Sequence, residues 1–316
     1  MSDQRLDGRR GVVVCLPDAS ERHHLGDLPA NVELVLLPAE RGPLPDLGRV
    51  EMLIPADWAR EALLAELGSM ARLRVIQTLS AGVDWLRGQI PAGVVVCNAR
   101  GVFDGPMAEW VVGAILAMQR GLVASRDAQL AADWRAFVPD ELAGRRVLIL
   151  GFGSIGAAVA ERLLPFGADV VGLARERRDG VLGLKDLDDA LPAADILVDV
   201  LPLSVETVGL LDARRLGLLP PGALVVNAGR GATVDTPALV DALRGGRLRA
   251  ALDVTDPEPL PPDHPLWRLP NALVSPHVAG DSPRSLARAY ALAGVQVRRF
   301  AAGERLENEV PPHLLA

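Results

Sequence analysis

Residues 145–174 read RRVLILGFGSIGAAVAERLLPFGADVVGLA, and the order of residue types within them decides the fold. Val147 to Leu150 is a short apolar run with no polar face, as a strand covered on both sides of a parallel sheet requires. It runs directly into Gly151-Phe152-Gly153-Ser154-Ile155-Gly156, then into the helix-forming AAVAERLLPFGA, then into a second apolar run, Val170 to Leu173. Glycine at 151 permits a tight turn, at 153 it lets the backbone approach a pyrophosphate, and at 156 it lets helix pack on strand. A pyrophosphate would meet the amides of Ser154, Ile155 and Gly156 at the helix N-terminus, where partial positive charge gathers. Strand, turn, helix and strand in this order predict a dinucleotide site.

The same alternation extends outward. Downstream, Ile196 to Val200, Leu224 to Asn227, Ala250 to Val254 and Ala272 to Val274 are further apolar runs separated by helical stretches, so six strands are expected in this sheet. Upstream, Val12 to Cys15, Val32 to Leu36, Val75 to Leu79 and Val94 to Cys97 form a separate series, with a helix over Trp58 to Gly68. The fold class is therefore α/β, with two Rossmann-like domains built on parallel sheets. Between the two series, Gly105 to Arg120 is apolar nearly all round, which predicts a helix buried between domains, with Pro106 in its first turn. One more helix, about Pro283 to Ala302, follows the last strand and carries Arg284, Arg288, Arg298 and Arg299 on its polar side. Too little chain remains for a third domain, so this helix is expected to return to the first one and make it discontinuous. The expected boundaries are 1–98 with 283–316 for the outer domain and 99–282 for the inserted dinucleotide-binding domain.

Composition agrees with this plan. The 316 residues are 49% apolar and 23% charged, which supplies core for about two domains. Acidic residues (40) outnumber basic ones (33), and the net charge of -7 has the wrong sign for a nucleic-acid or anionic-membrane partner. No apolar run reaches the roughly 18 residues of a membrane span, and the opening MSDQRLDGRR lacks the apolar stretch of a signal peptide. Cys15 and Cys97 are the only cysteines, each closing a valine run, so we expect core thiols, no disulfide and a cytoplasmic location. No metal site is expected.

The second strand of the nucleotide unit would end on an acid if it held both ribose hydroxyls of NAD, and Ala174 stands there instead. Arg175, Arg177 and Arg178 follow and could hold a 2′-phosphate through charge-assisted bonds. NADP is thus preferred over NAD, while Glu176 among the arginines argues the other way and keeps NAD open.

Further motifs follow at fixed intervals: LSAGVDW (79–85), NARGVFDGPMAEW (98–110), LPLSVET (201–207), NAGRG (227–231), DVTDPEP (253–259) and SPHVAG (275–280). Together with the glycine turn, their order and spacing resemble those of the D-isomer-specific 2-hydroxyacid dehydrogenases over nearly the whole chain. The resemblance implies a flavodoxin-like substrate domain flanking the cofactor domain, a cleft between them, and a homodimer built on the 105–120 helix. It also implies a small 2-keto or 2-hydroxy acid as substrate.

Reduction of a 2-keto acid needs an anchor for the carboxylate, a polariser for the carbonyl and a proton donor. Arg230 suits the first two, because a guanidinium forks across two oxygens and keeps its charge. His277 suits the third, since an imidazole gives up and recovers a proton near neutral pH. Glu258 resembles the family's carboxylate partner that orients this ring. By the same resemblance Asp253 bonds the nicotinamide carboxamide, Val200, Leu201, Pro202 and Thr207 line the adenosine and ribose side, and Ala228, Gly229, Ala279 and Gly280, with His277, complete the cofactor contacts. Backbone amides of Ala81, Gly82 and Val83 can cradle the substrate carboxylate because the side chains there are small. Met52 to Pro55 and Phe103 are candidates to border the substrate side chain. Asp256 receives no role.

The leading expectation is an NADP-preferring reductase of glyoxylate, hydroxypyruvate or a similar acid. Two alternatives share the fold: a dinucleotide-sensing corepressor or interaction protein, and a formate or phosphite dehydrogenase. The complete Arg230, Glu258 and His277 set argues for catalysis.

Overall fold

Apolar runs of two to six residues become two parallel sheets in the computed structural model, which describes residues 11–315; the expectation about the opening ten residues lies outside it. The first sheet comprises β1 (Val12–Pro17), β2 (Val32–Leu37), β3 (Met52–Leu53), β4 (Val75–Gln77) and β5 (Val95–Cys97), in the spatial order β2-β1-β3-β4-β5. It is accompanied by α1 (Arg60–Glu66). Next come α2 (Asp104–Gln119) and α3 (Leu122–Leu130). The second sheet contains β6 (Arg146–Leu150), β7 (Asp169–Ala174), β8 (Val181–Gly183), β9 (Ile196–Asp199), β10 (Leu224–Asn227), β11 (Arg249–Leu252) and β12 (Ala272–Val274). Helices α4 (Ser154–Leu163), α5 (Leu187–Ala190), α6 (Ala213–Leu218) and α7 (Thr236–Arg244) alternate with these strands, and α8 (Ser285–Ala302) comes last. The chain divides into two units: unit 1 runs to Val102 and resumes at Ser282, and unit 2 is Phe103–Asp281.

Unit 2 has the order β12-β11-β10-β9-β6-β7-β8. The strand order reverses between β6 and β9, which is where open sheets of this kind receive ligands at their C-terminal ends. Strand β6 shows why it sits near the middle. Val147 and Ile149 belong to the core shared with Ala108, Val111 and Ile115 of α2 and Val159 and Leu163 of α4. Leu148 and Leu150 face the opposite core, with Leu216, Leu239 and Leu243 from α6 and α7. Burial on both faces leaves no polar side to the strand, and truncating the wholly buried Ile149 to alanine is expected to cost about 2–5 kcal/mol.

Two strands escaped the sequence reading. β8 makes this a sheet of seven rather than six; it is a three-residue edge strand beside β7, entered through Gly180 at φ +70°. β3 is two residues long yet central in unit 1, between β1 and β4. Its residues Met52 and Leu53, and Ile54 after them, are 0–1% exposed and lie in the two cores of that unit. Their side chains are packing groups, which corrects the expectation that they border a substrate. Burial also pushes the thiols of Cys15 and Cys97 up to about 12, as suits inert core cysteines. No single helix among the described residues is long and apolar enough to cross a membrane.

Candidate active site

At the end of β6 the backbone turns at Gly151, with φ +94°. A Cβ there would lie 2.8 Å from the Val200 carbonyl oxygen, so only glycine lets the turn sit against the end of β9. Gly153 differs, because a Cβ on it would meet nothing within 4 Å. Open space therefore lies before the first turn of α4, whose leading amides have no partner inside the helix. That combination fits a dinucleotide pyrophosphate at Ser154, Ile155 and Gly156. On the far side of the switch point, Thr207 is buried; its hydroxyl donates to the Pro202 carbonyl at 2.7 Å and accepts from the Ser204 amide at 2.8 Å. Its task is to shape the 202–207 loop. Val200 and Leu201 are buried as well and present backbone, while Pro202 is exposed.

The basic turn after β7 is not a bare cluster of cations. Arg175 pairs with Glu206 at 2.9 Å and Arg177 with Asp186 at 2.8 Å, while Arg178 donates to the carbonyl of Phe152 in the glycine turn. Glu206, from the LPLSVET motif, is thus a neighbour of Arg175 that sequence reading missed.

Arg230 follows β10 in extended conformation, and its Nη1 donates to the Gly229 carbonyl at 2.7 Å. Behind it the turn is tied down: Asn227 Nδ2 and Thr233 Oγ1 reach the Arg230 carbonyl at 3.0 and 2.7 Å. A Cβ on Gly231 would fall 2.0 Å from the Thr255 carbonyl oxygen, so the Arg230 turn lies backbone to backbone against the 253–259 loop. That contact brings the arginine's turn beside the segment that carries Glu258.

His277 occupies the loop after β12, in the left-handed region at φ +56°, a conformation costly for a side chain with a Cβ. Its amide donates to the Asp253 carbonyl at 2.8 Å, and its ring Nδ1 lies 2.6 Å from Glu258 Oε1. With Nδ1 engaged, Nε2 is the ring atom left for a reacting group. Both side chains are about half exposed, His277 at 49% and Glu258 at 42%, so they are open to a ligand. Asp253 is buried beneath them. Its carboxylate accepts from Ser275 Oγ at 2.6 Å and from the amides of Val278 and Ala279 at 2.9 and 2.8 Å, fixing the loop that presents His277. This positioning task was not foreseen; the sequence had suggested only a contact to the nicotinamide. Ala279 is buried behind the loop, and Gly280 faces the ring of Phe103, which keeps Phe103 beside this site.

In unit 1, the carbonyls of Ser80, Ala81 and Gly82 accept from Thr78, Asn98 and Ser80 side chains at 2.7, 2.7 and 2.9 Å. Among the described residues no acceptor takes the amides of Ala81, Gly82 or Val83. A loop with its carbonyls engaged by local side chains and its amides open can receive an anion. No group of three or more metal-ligating side chains occurs among the described residues.

A sheet of the dinucleotide-binding order, a glycine turn at its switch point and an arginine, a glutamate and the histidine it pairs with after the three successive strands β10, β11 and β12 define an NAD(P)-dependent oxidoreductase. Residues 112–279 match the NAD-binding domain of the D-isomer specific 2-hydroxyacid dehydrogenases. The glyoxylate reductase of Thermofilum pendens is 36% identical over 260 residues, covering 77% of this chain and 75% of that protein. Among solved structures, a D-isomer specific 2-hydroxyacid dehydrogenase from Xanthobacter autotrophicus in complex with NADPH and MES is 32% identical. It superposes with a TM-score of 0.80 over 96% of this chain and 98% of that one. The NADPH-dependent glyoxylate/hydroxypyruvate reductase of Sinorhizobium meliloti, in complex with NADP and sulfate, is 28% identical with a TM-score of 0.81, covering 95% of this chain and 98% of its own. The chain belongs to the D-isomer specific 2-hydroxyacid dehydrogenase family.

Proposed function

We propose that this enzyme reduces a short 2-keto acid of the glyoxylate or hydroxypyruvate kind to the D-2-hydroxy acid, with NADPH preferred to NADH. The observation that carries the reading is the His277–Glu258 contact of 2.6 Å, with Glu258 on the loop after β11, the neighbour of the strand that bears Arg230. Arg230 would fork across the carboxylate and carbonyl oxygens, polarising the carbonyl as negative charge develops on it. His277 would deliver a proton from Nε2 to the new hydroxyl, and Glu258 would stabilise the imidazolium and keep the ring in register. The open amides of Ala81 to Val83 are assigned to the substrate carboxylate. The cofactor, held along Gly151 to Gly156, supplies the hydride. Phe103 beside Gly280 favours a small side chain on the substrate.

NADPH preference rests on Ala174 and on the guanidinium groups that follow it. Arg175 is shared with Glu206, so the 2′-phosphate would have to compete with that carboxylate. The test is oxidation of NADPH and NADH against a panel of 2-keto acids and matched aldehydes. Equal efficiency with the two cofactors removes the NADP reading, and equal rates on aldehyde and keto acid remove the carboxylate anchor. Formate or phosphite oxidation without keto-acid reduction would favour the alternative dehydrogenases, and binding of cofactor without turnover the corepressor reading.

We further assign a homodimer. To the 105–120 helix on which the family resemblance places it, α3 and the segment after it add an exposed apolar surface. Leu122, Leu130, Trp134 and Val138 lie there largely exposed, an apolar set of the kind that marks association sites. Molar mass in solution, for the parent and for Trp134→Glu, tests this.

A further inference from the structure

Asp199 is the last residue of β9 and wholly buried, with no ion pair among the described residues. It pairs with Leu150 on β6 and Asn227 on β10, neither of which titrates. The segments packed on its side of the sheet bring Asp188 and Arg215, joined to each other at 2.7 Å, and Asp235, which caps α7. The turn after β10 brings Arg230. Asp199 Oδ1 accepts from the Leu201 amide at 3.0 Å, and Oδ2 lies 2.5 Å from Thr233 Oγ1.

Counting protons around Thr233 decides the state of this acid. A threonine hydroxyl has one proton to donate and two lone pairs to fill. Thr233 Oγ1 has three polar neighbours: Asp199 Oδ2 at 2.5 Å, the Arg230 carbonyl at 2.7 Å and Asn227 Nδ2 at 3.4 Å. If Asp199 were a carboxylate, both it and the Arg230 carbonyl would need the single hydroxyl proton, and one of them would face Oγ1 acceptor to acceptor. If Asp199 is a carboxylic acid, all three contacts are satisfied. The acid then donates to Thr233, the Asn227 amide donates to Thr233, and Thr233 donates to the Arg230 carbonyl.

We propose that Asp199 is a positioning residue that works as a neutral acid, passing a hydrogen bond through Thr233 to the carbonyl of Arg230 and so fixing the turn that aims the substrate-binding guanidinium. The proposal rests on the role given to Arg230 above. Burial acts in the same direction, raising the Asp199 carboxyl to about 6 against the opposing bonds from Thr233 and Leu201. As pH rises through that value the acid ionises and draws the Thr233 proton to itself. The Arg230 carbonyl then loses the Thr233 hydroxyl and is held by Asn227 and by a longer bond from the Thr233 amide, at 3.0 and 3.2 Å.

The expected signature is in substrate affinity. Between about pH 5 and pH 8 the parent's KM for the best keto acid should rise about three- to tenfold, the range one hydrogen bond is worth, in excess of any change in D199N. The amide of D199N donates to Thr233 at every pH, so its KM ratio across the range should stay near one, while T233V should show a raised KM at both ends. A D199N ratio equal to the parent's overturns the proposal. Carbon-13 NMR of the Asp199 carboxyl in the unmutated protein gives a second reading that needs no variant to fold and no substrate. A titration near pH 6 is expected, and a carboxyl already ionised at pH 5 overturns the proposal. If no keto acid is reduced at all, the reading of Arg230 fails, and the carboxyl titration still decides the state of Asp199.

Discussion

Two buried aspartates stand at strand ends of the larger sheet, Asp253 just after β11 and Asp199 at the end of β9, and they are served differently. Asp253 receives three donors that bring their own protons, a serine hydroxyl and two amides. Asp199 receives one amide, and its other oxygen meets a hydroxyl whose only proton is also wanted by a carbonyl. The number of protons in reach, rather than depth, decides whether a buried aspartate can serve as a pure acceptor or has to bring a proton itself. Each residue ties down a turn that carries a side chain proposed to react, His277 in one case and Arg230 in the other.

The contrast can be attacked from the chemistry outward. His277→Ala should lower turnover by about 100- to 10,000-fold while cofactor binding, read by fluorescence titration, survives. Near-normal turnover would leave the Asp253-held loop without its catalytic purpose. A smaller effect concerns Asp199 and stability. Its folded pKa of about 6 lies above the ordinary value, so its contribution is fully present below about pH 4 and is lost as pH rises to 6. Urea unfolding should show the parent losing about 2 kcal/mol relative to D199N across that window. A constant difference between the two proteins would erase the distinction between the aspartates. Asp253→Asn comes next: one amide hydrogen would face a donor of the 275–279 loop, at a cost of about 2 kcal/mol, with turnover falling alongside stability. If turnover holds while stability falls, Asp253 supports the fold and not the His277 loop. The smallest change is expected at the half-exposed Arg175, where solvent and Glu206 weaken the charge. Arg175→Ala should narrow the NADPH advantage by about 1 kcal/mol, and Glu206→Gln should widen it slightly, both read from kcat/KM for the two cofactors.

The contrast between the two aspartates also shows what a sequence discloses. Strands β6, β9 and β10 were legible because burial on both faces demands unbroken apolar runs, and the glycine turn was legible because its backbone geometry admits little else. β3 and β8 were not, since two or three residues carry no period. Arg230, Glu258 and His277 stood out through motifs. The structure pairs Glu258 with His277 and lays the Arg230 turn against the Glu258 loop. Asp199 passed unnoticed within the run ILVDV, although a lone acid ending so apolar a strand was the one available sign of it. Thr233 and Glu206 gave no sign at all, because their partners lie 34 and 31 residues away and only the folded chain brings them together.

Helix α8 carries Tyr290, Ala293, Val297 and Phe300 into the same core as Val12, Val14 and Leu16 of β1. Strand β1 thus waits for α8, far later in the chain, before this apolar face is covered, while residues 103–281 form an uninterrupted stretch that can close during synthesis. Nascent chains halted before Ser285 should therefore hold a folded nucleotide unit on an unfinished companion, a natural client for chaperones.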